Sequence, residues 1–298
     1  WTVEADGVVT GLAALPGNQI VAHTRNGQVL VLDNGRYVAI WTVNGPETPF
    51  LVLNQMLVFV TDGGGLTAYD TAGTALWTLP GAGSDRVVSL DTDGAQIAFS
   101  VRTEAGILWR VVGLDGQVAV EQRFETFAAN AALGSGSWLV LAGGNLEQHT
   151  GAETRVLAAV APPGRAAALT ADALGNSYLY LGDTDSTLLA YGPDGTLRWQ
   201  VTYPVASASL PPLLAVGQGC LLYTLDVDGM LNVFSTADGA LVNQLPLYAG
   251  GTERTMPAAR LLQVDPTTEQ IEIATGFLTT LLLDGTRLGS DGGACLLG

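Results

Sequence analysis

A short phrase recurs along the 298-residue chain: a strand ending in Asp or Gly, a tight turn, then a strand often carrying Trp. It reads GQVLVLDNGRYVAIWTV at 27–43, GGLTAYDTAGTALWTL at 64–79 and STLLAYGPDGTLRWQV at 186–201. Weaker copies stand at 229–245 (GMLNVFSTADGALVNQL) and 277–288 (FLTTLLLDGTRL). An internal period of about 40 residues, built only from strands and hairpin turns, is the signature of a β-propeller. Asn34-Gly35, Asp115-Gly116, Asp194-Gly195, Asp238-Gly239 and Asp284-Gly285 supply the positive-φ positions that tight hairpins need. No strong amphipathic helix separates them.

Each repeat divides into four strands, named a to d from the axis outward. Blade one spans roughly residues 8–43; blades two, three and four end near Leu79, Phe124 and Val160. Blades five and six follow the same pattern, and blade seven lacks a convincing fourth strand. The b segments, such as Leu57–Val60 and Tyr178–Leu181, are nearly continuous apolar runs, as expected for strands covered on both faces. The c segments are mixed, with polar residues interspersed. Trp1-Thr2-Val3 matches Trp41-Thr42-Val43 and Trp77-Thr78-Leu79, so the chain begins with what reads as an outer strand. An open sheet edge is a liability, and residues 1–5 are expected to complete blade seven. The alternative is donation of this strand to a neighbouring molecule. The expected fold is therefore all-β: one seven-bladed propeller of four-stranded antiparallel blades over 1–298, with 1–5 closing the ring and 291–298 a tail.

Bulk chemistry narrows the function classes. The formal net charge is −16, every basic residue is Arg, and such a surface repels phosphate backbones, so no nucleic-acid partner is expected. The acidity by itself serves solubility. No apolar run approaches the ~18 residues of a membrane span, which predicts a soluble domain without a transmembrane segment. A start at Trp1 fits either a processed export product or a fragment. Cys220 and Cys295 have no metal-ligand spacing; they either pair in an oxidising compartment or leave Cys220 a buried thiol.

The phrase Leu66-Thr67-Ala68-Tyr69-Asp70-Thr71-Ala72-Gly73-Thr74-Ala75-Leu76-Trp77 closely resembles the PQQ-type propeller repeat. Leu188–Trp199 and Val29–Trp41 are looser copies, and Leu231–Gln244 has Asn243 where Trp would sit. The resemblance implies one of two kinds of protein: quinoprotein dehydrogenases holding pyrroloquinoline quinone and calcium, or BamB-like members that bind proteins. The dehydrogenases are longer, with eight blades and a vicinal cysteine pair. This chain looks like the second kind, so no cofactor is expected, and Trp1, Trp41, Trp77 and Trp199 are structural residues of the repeat.

Constellations for chemistry are sparse. His23 and His149 lie in different blades; no G-x-S-x-G elbow surrounds a serine, and Gly134-Ser135-Gly136-Ser137 reads as a hairpin turn. Two histidines cannot make a three-histidine zinc site. Asp91/Asp93, Asp183/Asp185 and Asp226/Asp228 begin like calcium loops but lack the remaining ligands, and Asp in a tight turn bonds nearby amides. By propeller parity, Asp62, Asp183, Asp185, Asp226 and Asp228, with Arg25 and Arg102, fall on the face of the b–c hairpins. That face is the candidate surface for a protein partner with basic or polar groups. The expected function is a non-enzymatic protein-binding scaffold outside the cytoplasm: periplasmic, surface-attached or secreted, in a membrane-associated or surface complex. The alternatives are a degenerate quinoprotein enzyme and a structural subunit joined through its N-terminal strand.

Overall fold

The structure is a computed structural model. It describes residues 6–284 apart from 8, 18, 44–49, 54, 62, 82–86, 161–165, 183–185, 205–210, 218–219, 227–228, 248–258, 265–269 and 276–279. The segments Trp1–Ala5 and 291–298, expected as closing strand and tail, lie outside the described residues. The described residues form strands and turns without a helix, in two compact units.

The first unit holds three antiparallel four-stranded sheets, each a simple meander. Sheet one is β1 (Val9–Leu15), β2 (Gln19–Thr24), β3 (Gln28–Asp33) and β4 (Arg36–Thr42). Sheet two is β5 (Phe50–Leu53), β6 (Met56–Thr61), β7 (Gly65–Tyr69) and β8 (Ala75–Leu79). Sheet three is β9 (Val87–Thr92), β10 (Gln96–Thr103), β11 (Gly106–Gly113) and β12 (Val118–Phe124).

The second unit contains four sheets. Sheet four is β13 (Phe127–Gly134), β14 (Ser137–Ala142), β15 (Asn145–Thr150) and β16 (Glu153–Ala159). Sheet five is β17 (Ala166–Ala171), β18 (Ser177–Gly182), β19 (Thr187–Tyr191) and β20 (Leu197–Thr202). Sheet six is β21 (Leu213–Val216), β22 (Leu221–Leu225), β23 (Met230–Ser235) and β24 (Leu241–Pro246). Sheet seven has three described strands: β25 (Ala259–Val264), β26 (Gln270–Thr275) and β27 (Thr280–Asp284).

The apolar b strands follow from the alternation of side chains across a sheet, one face to each neighbour. On β6, Met56, Val58 and Val60 pack with Ile97, Phe99 and Leu108 of sheet three, while Leu57 and Phe59 pack with Val21, Val29 and Val31 of sheet one. In the second unit, Leu179 joins Leu139 and Leu141 of sheet four, while Tyr178 and Tyr180 join Leu222 and Phe234 of sheet six. Sheets six and seven share Tyr223, Val233, Ile271 and Ile273.

The c strands are less mixed than their sequence suggests. Val29–Leu32 are all buried, and Thr67 in β7 is buried at 5% exposure with its hydroxyl on that of Thr78 at 3.2 Å. A c strand is covered on both faces as a b strand is, so its polar residues must find partners inside the sheet. Among the described residues, the outer strands alternate exposed and half-buried positions, as in β4.

Every outer strand of the six four-stranded sheets also carries one extra residue opposite the c strand: Val38, Leu76, Ala119, Leu157, Arg198 and Val242. Such a bulge bends an edge strand and increases its twist.

Candidate interaction surface

The turns joining b to c strands are built by the chain itself. Immediately after the outer strand, a backbone N–H donates back to the b–c turn of the same sheet. Val43 reaches Gly27 at 2.8 Å, Val160 reaches Gly144 at 2.7 Å, Tyr203 reaches Ser186 at 2.7 Å and Leu247 reaches Gly229 at 3.0 Å. The four bonds hold the b–c turn and the strand exit together, which makes this end of sheets one, four, five and six a fixed platform for loops.

Of the sequence-predicted residues, Arg25 sits exposed in the b–c turn of sheet one. Arg102 is exposed near the end of β10, one residue before the b–c turn of sheet three. Both belong to the first unit. Asp226 belongs to the second and is buried, at 5% exposure. One of its carboxylate oxygens accepts from the Tyr203 hydroxyl at 2.7 Å and the other from the Asn232 amide at 3.1 Å. Tyr203 also meets the Thr224 hydroxyl at 2.5 Å, and Gln244 donates to the Asn232 carbonyl oxygen at 2.7 Å. Asp226 thus anchors its turn from beneath, and its backbone N–H bonds Met230 across that turn. Asp62, Asp183, Asp185 and Asp228 lie outside the described residues.

The network around Asp226 was not visible in the sequence. Its one signal is Tyr203, which stands where Val43, Val160 and Leu247 stand in other sheets. Burial and the nearby Asp226 carboxylate drive the Tyr203 hydroxyl well above its usual pKa of 10.0, so it stays a neutral donor.

The repeat's tryptophans reach from an outer strand to the c–d turn of the next sheet. The Trp77 indole N–H donates to the Leu114 carbonyl at 2.7 Å, and Trp199 donates to that of Thr236 at 2.8 Å. Their rings lie where a side chain on Gly116 or Gly239 would sit. Trp41 covers Gly73 in the same way, but its indole N–H has no hydrogen-bond partner. The reason is register: Trp77 and Trp199 directly follow their bulge residues, while Trp41 stands three beyond Val38. Trp1 is outside the described residues.

The histidines sit apart. His23 is fully buried against Phe59 (ring centroids 5.3 Å) and Phe50 (6.1 Å), and burial lowers its pKa. His149 is buried on β15 with Nε2 3.0 Å from the Glu147 carboxylate and Nδ1 3.1 Å from the Thr154 hydroxyl. Burial lowers its pKa as well, against the opposing pull of Glu147. Asp93 caps its own turn, accepting from the Ala95 and Gln96 amides at 2.9 and 2.7 Å, and its second oxygen accepts from Gly136 N–H at 2.8 Å. Among the described residues, no group of three or more His, Cys, Asp or Glu side chains gathers as a metal site. Cys220, at the start of sheet six's b strand, is disulfide-bonded. The sequence holds one other cysteine, Cys295, outside the described residues. No helix among the described residues is long and apolar enough to cross a membrane.

Comparison with known proteins follows the same lines. Residues 1–130 match the PQQ-repeat family model described as outer membrane protein assembly factor BamB. The chain is similar to the crystal structure of BamB from Moraxella catarrhalis, at 15% identity and a TM-score of 0.64, covering 93% of this chain and 85% of that one. It is similar to the WD40 β-propeller domain of Doa1, at 14% identity and a TM-score of 0.68, covering 96% of each chain. The computationally designed Ika8 protein aligns at 14% identity and a TM-score of 0.61, covering 95% of this chain and 98% of that one. No curated protein matches the chain in sequence. The fold is a β-propeller of antiparallel, mostly four-stranded blades. Over residues 1–130 the repeats are similar to the PQQ-like type of that family model.

Proposed function

We propose that this chain is a non-enzymatic, protein-binding scaffold that works outside the cytoplasm, in the cell envelope or beyond it. The observation that carries this reading is the match of residues 1–130 to a family model described by an assembly factor. The disulfide at Cys220 supports the compartment, because structural disulfides persist where the environment is oxidising. A net charge of −16 favours a partner with basic groups over a nucleic acid. The proposed partner-facing residues are Arg25 and Arg102 at or beside b–c turns of the first unit and, in the second, the b–c turn that Asp226 holds. Asp62, Asp183, Asp185 and Asp228, outside the described residues, are proposed by their sequence position alone.

The test is chemical cross-linking and affinity measurement with the protein that co-purifies from the native source. Neutralising Asp183, Asp185 and Asp228 together, or Arg25 and Arg102 together, weakens the complex while the fold is kept. Unchanged affinity in both sets removes the assignment of this face. The same reading treats 1–298 as one ring, with Trp1–Ala5 as the fourth strand of blade seven. Deleting residues 1–5 then gives a destabilised monomer; an intact monomer that no longer assembles assigns the strand to a neighbouring molecule instead.

A further inference from the structure

β4 is the outer strand of its sheet and, among the described residues, pairs with β3 alone. Its other edge presents backbone N–H and C=O groups, the feature that natural proteins guard with charges, proline or brevity. The other outer strands show those guards. β12 carries Glu121 and Arg123, β16 carries Glu153 and Arg155, and β20 carries Arg198. β24 ends in Pro246, and β8 is five residues long and is followed by Pro80. β4 has one charge, Arg36, at its turn end, and then runs Tyr37-Val38-Ala39-Ile40-Trp41-Thr42 with none. Val38 is 56% exposed, Ile40 53% and Tyr37 45%, the largest group of exposed apolar side chains on one strand among the described residues. Beyond the bulge at Val38, the register with β3 is regular from Ala39 to Thr42, so this stretch is straight enough to template another strand.

We propose that the free edge of β4 is a docking strip for an extended segment of another protein, apolar along one face and flanked by basic residues. Strand addition supplies affinity through the backbone and specificity through alternate side chains, here against Val38 and Ile40. Charge chooses the occupant. A second copy would bring another −16 to the edge, whereas a segment with Lys or Arg at its ends meets an acidic molecule that has no lysine of its own. The inference rests on the scaffold reading only in that the occupant is protein; it uses a different surface from the b–c loops.

The probe is a fluorescein-labelled peptide, KKVTVTVKK, titrated into the whole chain at low salt, with EEVTVTVEE as comparison. Saturable binding of the basic peptide is expected, with slowed amide exchange at Ala39–Thr42. Ile40→Glu and Val38→Glu should each weaken it by about ten-fold or more, at unchanged thermal midpoint, because a charge on the edge blocks strand addition. Those substitutions add negative charge and would strengthen a merely electrostatic contact, so tighter binding overturns the proposal. Equal binding of the acidic peptide, exchange protection elsewhere than β4, or no saturable binding at all overturns it too. Self-association of the chain that Ile40→Glu abolishes would assign the edge to a second copy and overturn it equally. A failed peptide titration alongside intact binding of the co-purifying protein through the b–c loops would sink the strip and leave the scaffold reading standing.

Discussion

At the scale of single residues, the glycines of the c–d turns matter through what lies on top of them. Gly116 and Gly239 have φ of +79° and +74°, and a methyl group on either would strike the ring of Trp77 or Trp199. Gly116→Ala or Gly239→Ala therefore combines left-handed strain with a clash, and should cost about 2–3 kcal/mol in chemical denaturation. Trp199→Phe keeps most of the packing but leaves the Thr236 carbonyl without its indole donor, a loss of about 1–2 kcal/mol in the same measurement. Titration acts through other residues. The carboxyls of Asp70, Asp194 and Asp238 are held below the usual 3.8 by hydrogen bonds, chiefly from Thr74, Thr196 and Ser235 respectively. Their stabilisation is complete above pH 3.8 and disappears as pH falls toward their folded values. His23 and His149 are held below 6.5 by burial, so the unfolded chain takes up their protons first and stability falls as pH drops below 6.5. Thermal midpoints measured against pH should decline in two stages, one starting near 6.5 and one below 3.8. Replacing His149 with Gln should flatten the first stage, and an unaltered first stage would show that this imidazole plays no part in it.

At the scale of strands and sheets, the Tyr203–Thr224–Asp226–Asn232–Gln244 network ties the end of sheet five, through Tyr203, to the polar interior of sheet six. Asp226→Ala would leave the Tyr203 hydroxyl and Asn232 amide buried without that acceptor. A destabilisation of about 2–4 kcal/mol is expected, with hydrogen exchange at Gly229 and Met230 rising more than elsewhere. Which parts of this were legible in advance follows from periodicity. The b strands declared themselves because both of their faces are apolar, as Leu57 and Val58 show by packing into different cores. The hairpins declared themselves through Asp-Gly and Asn-Gly. The c strands looked half-polar because residues such as Thr67 and Asn232 satisfy their polar atoms inside the sheet, which composition does not reveal. The bulges were hidden for a similar reason: the outer strands bury only part of one face, so an extra residue leaves little mark in their alternation. Asp226 read as a surface carboxylate because the phenol that buries it lies 23 residues away in the chain.

For the molecule as a whole, the disulfide is the strongest single constraint to test. Cys220→Ser removes that bond, and losing a native disulfide costs about 2–5 kcal/mol of stability. A reduced sample should unfold at correspondingly lower denaturant concentration, and a Cys220→Ser variant should no longer respond to reductant. The blade count was readable because repeats are a property of the whole sequence. The b–c loops carry no such repeat, because turns at the rim of a sheet are free of the pattern that packing imposes.

The repeated bulge makes the c–d hairpin an exchangeable part, but only between some positions. In blades two and five the spacing from turn glycine to tryptophan is the same, Gly73 to Trp77 and Gly195 to Trp199, whereas in blade one it is two residues longer, Gly35 to Trp41. A hairpin transplanted between blades two and five would bring its indole onto the next turn's carbonyl. The same hairpin grafted into blade one would deliver its ring two residues early along the strand. Recombination among these repeats therefore has a grammar, and blade one stands outside it.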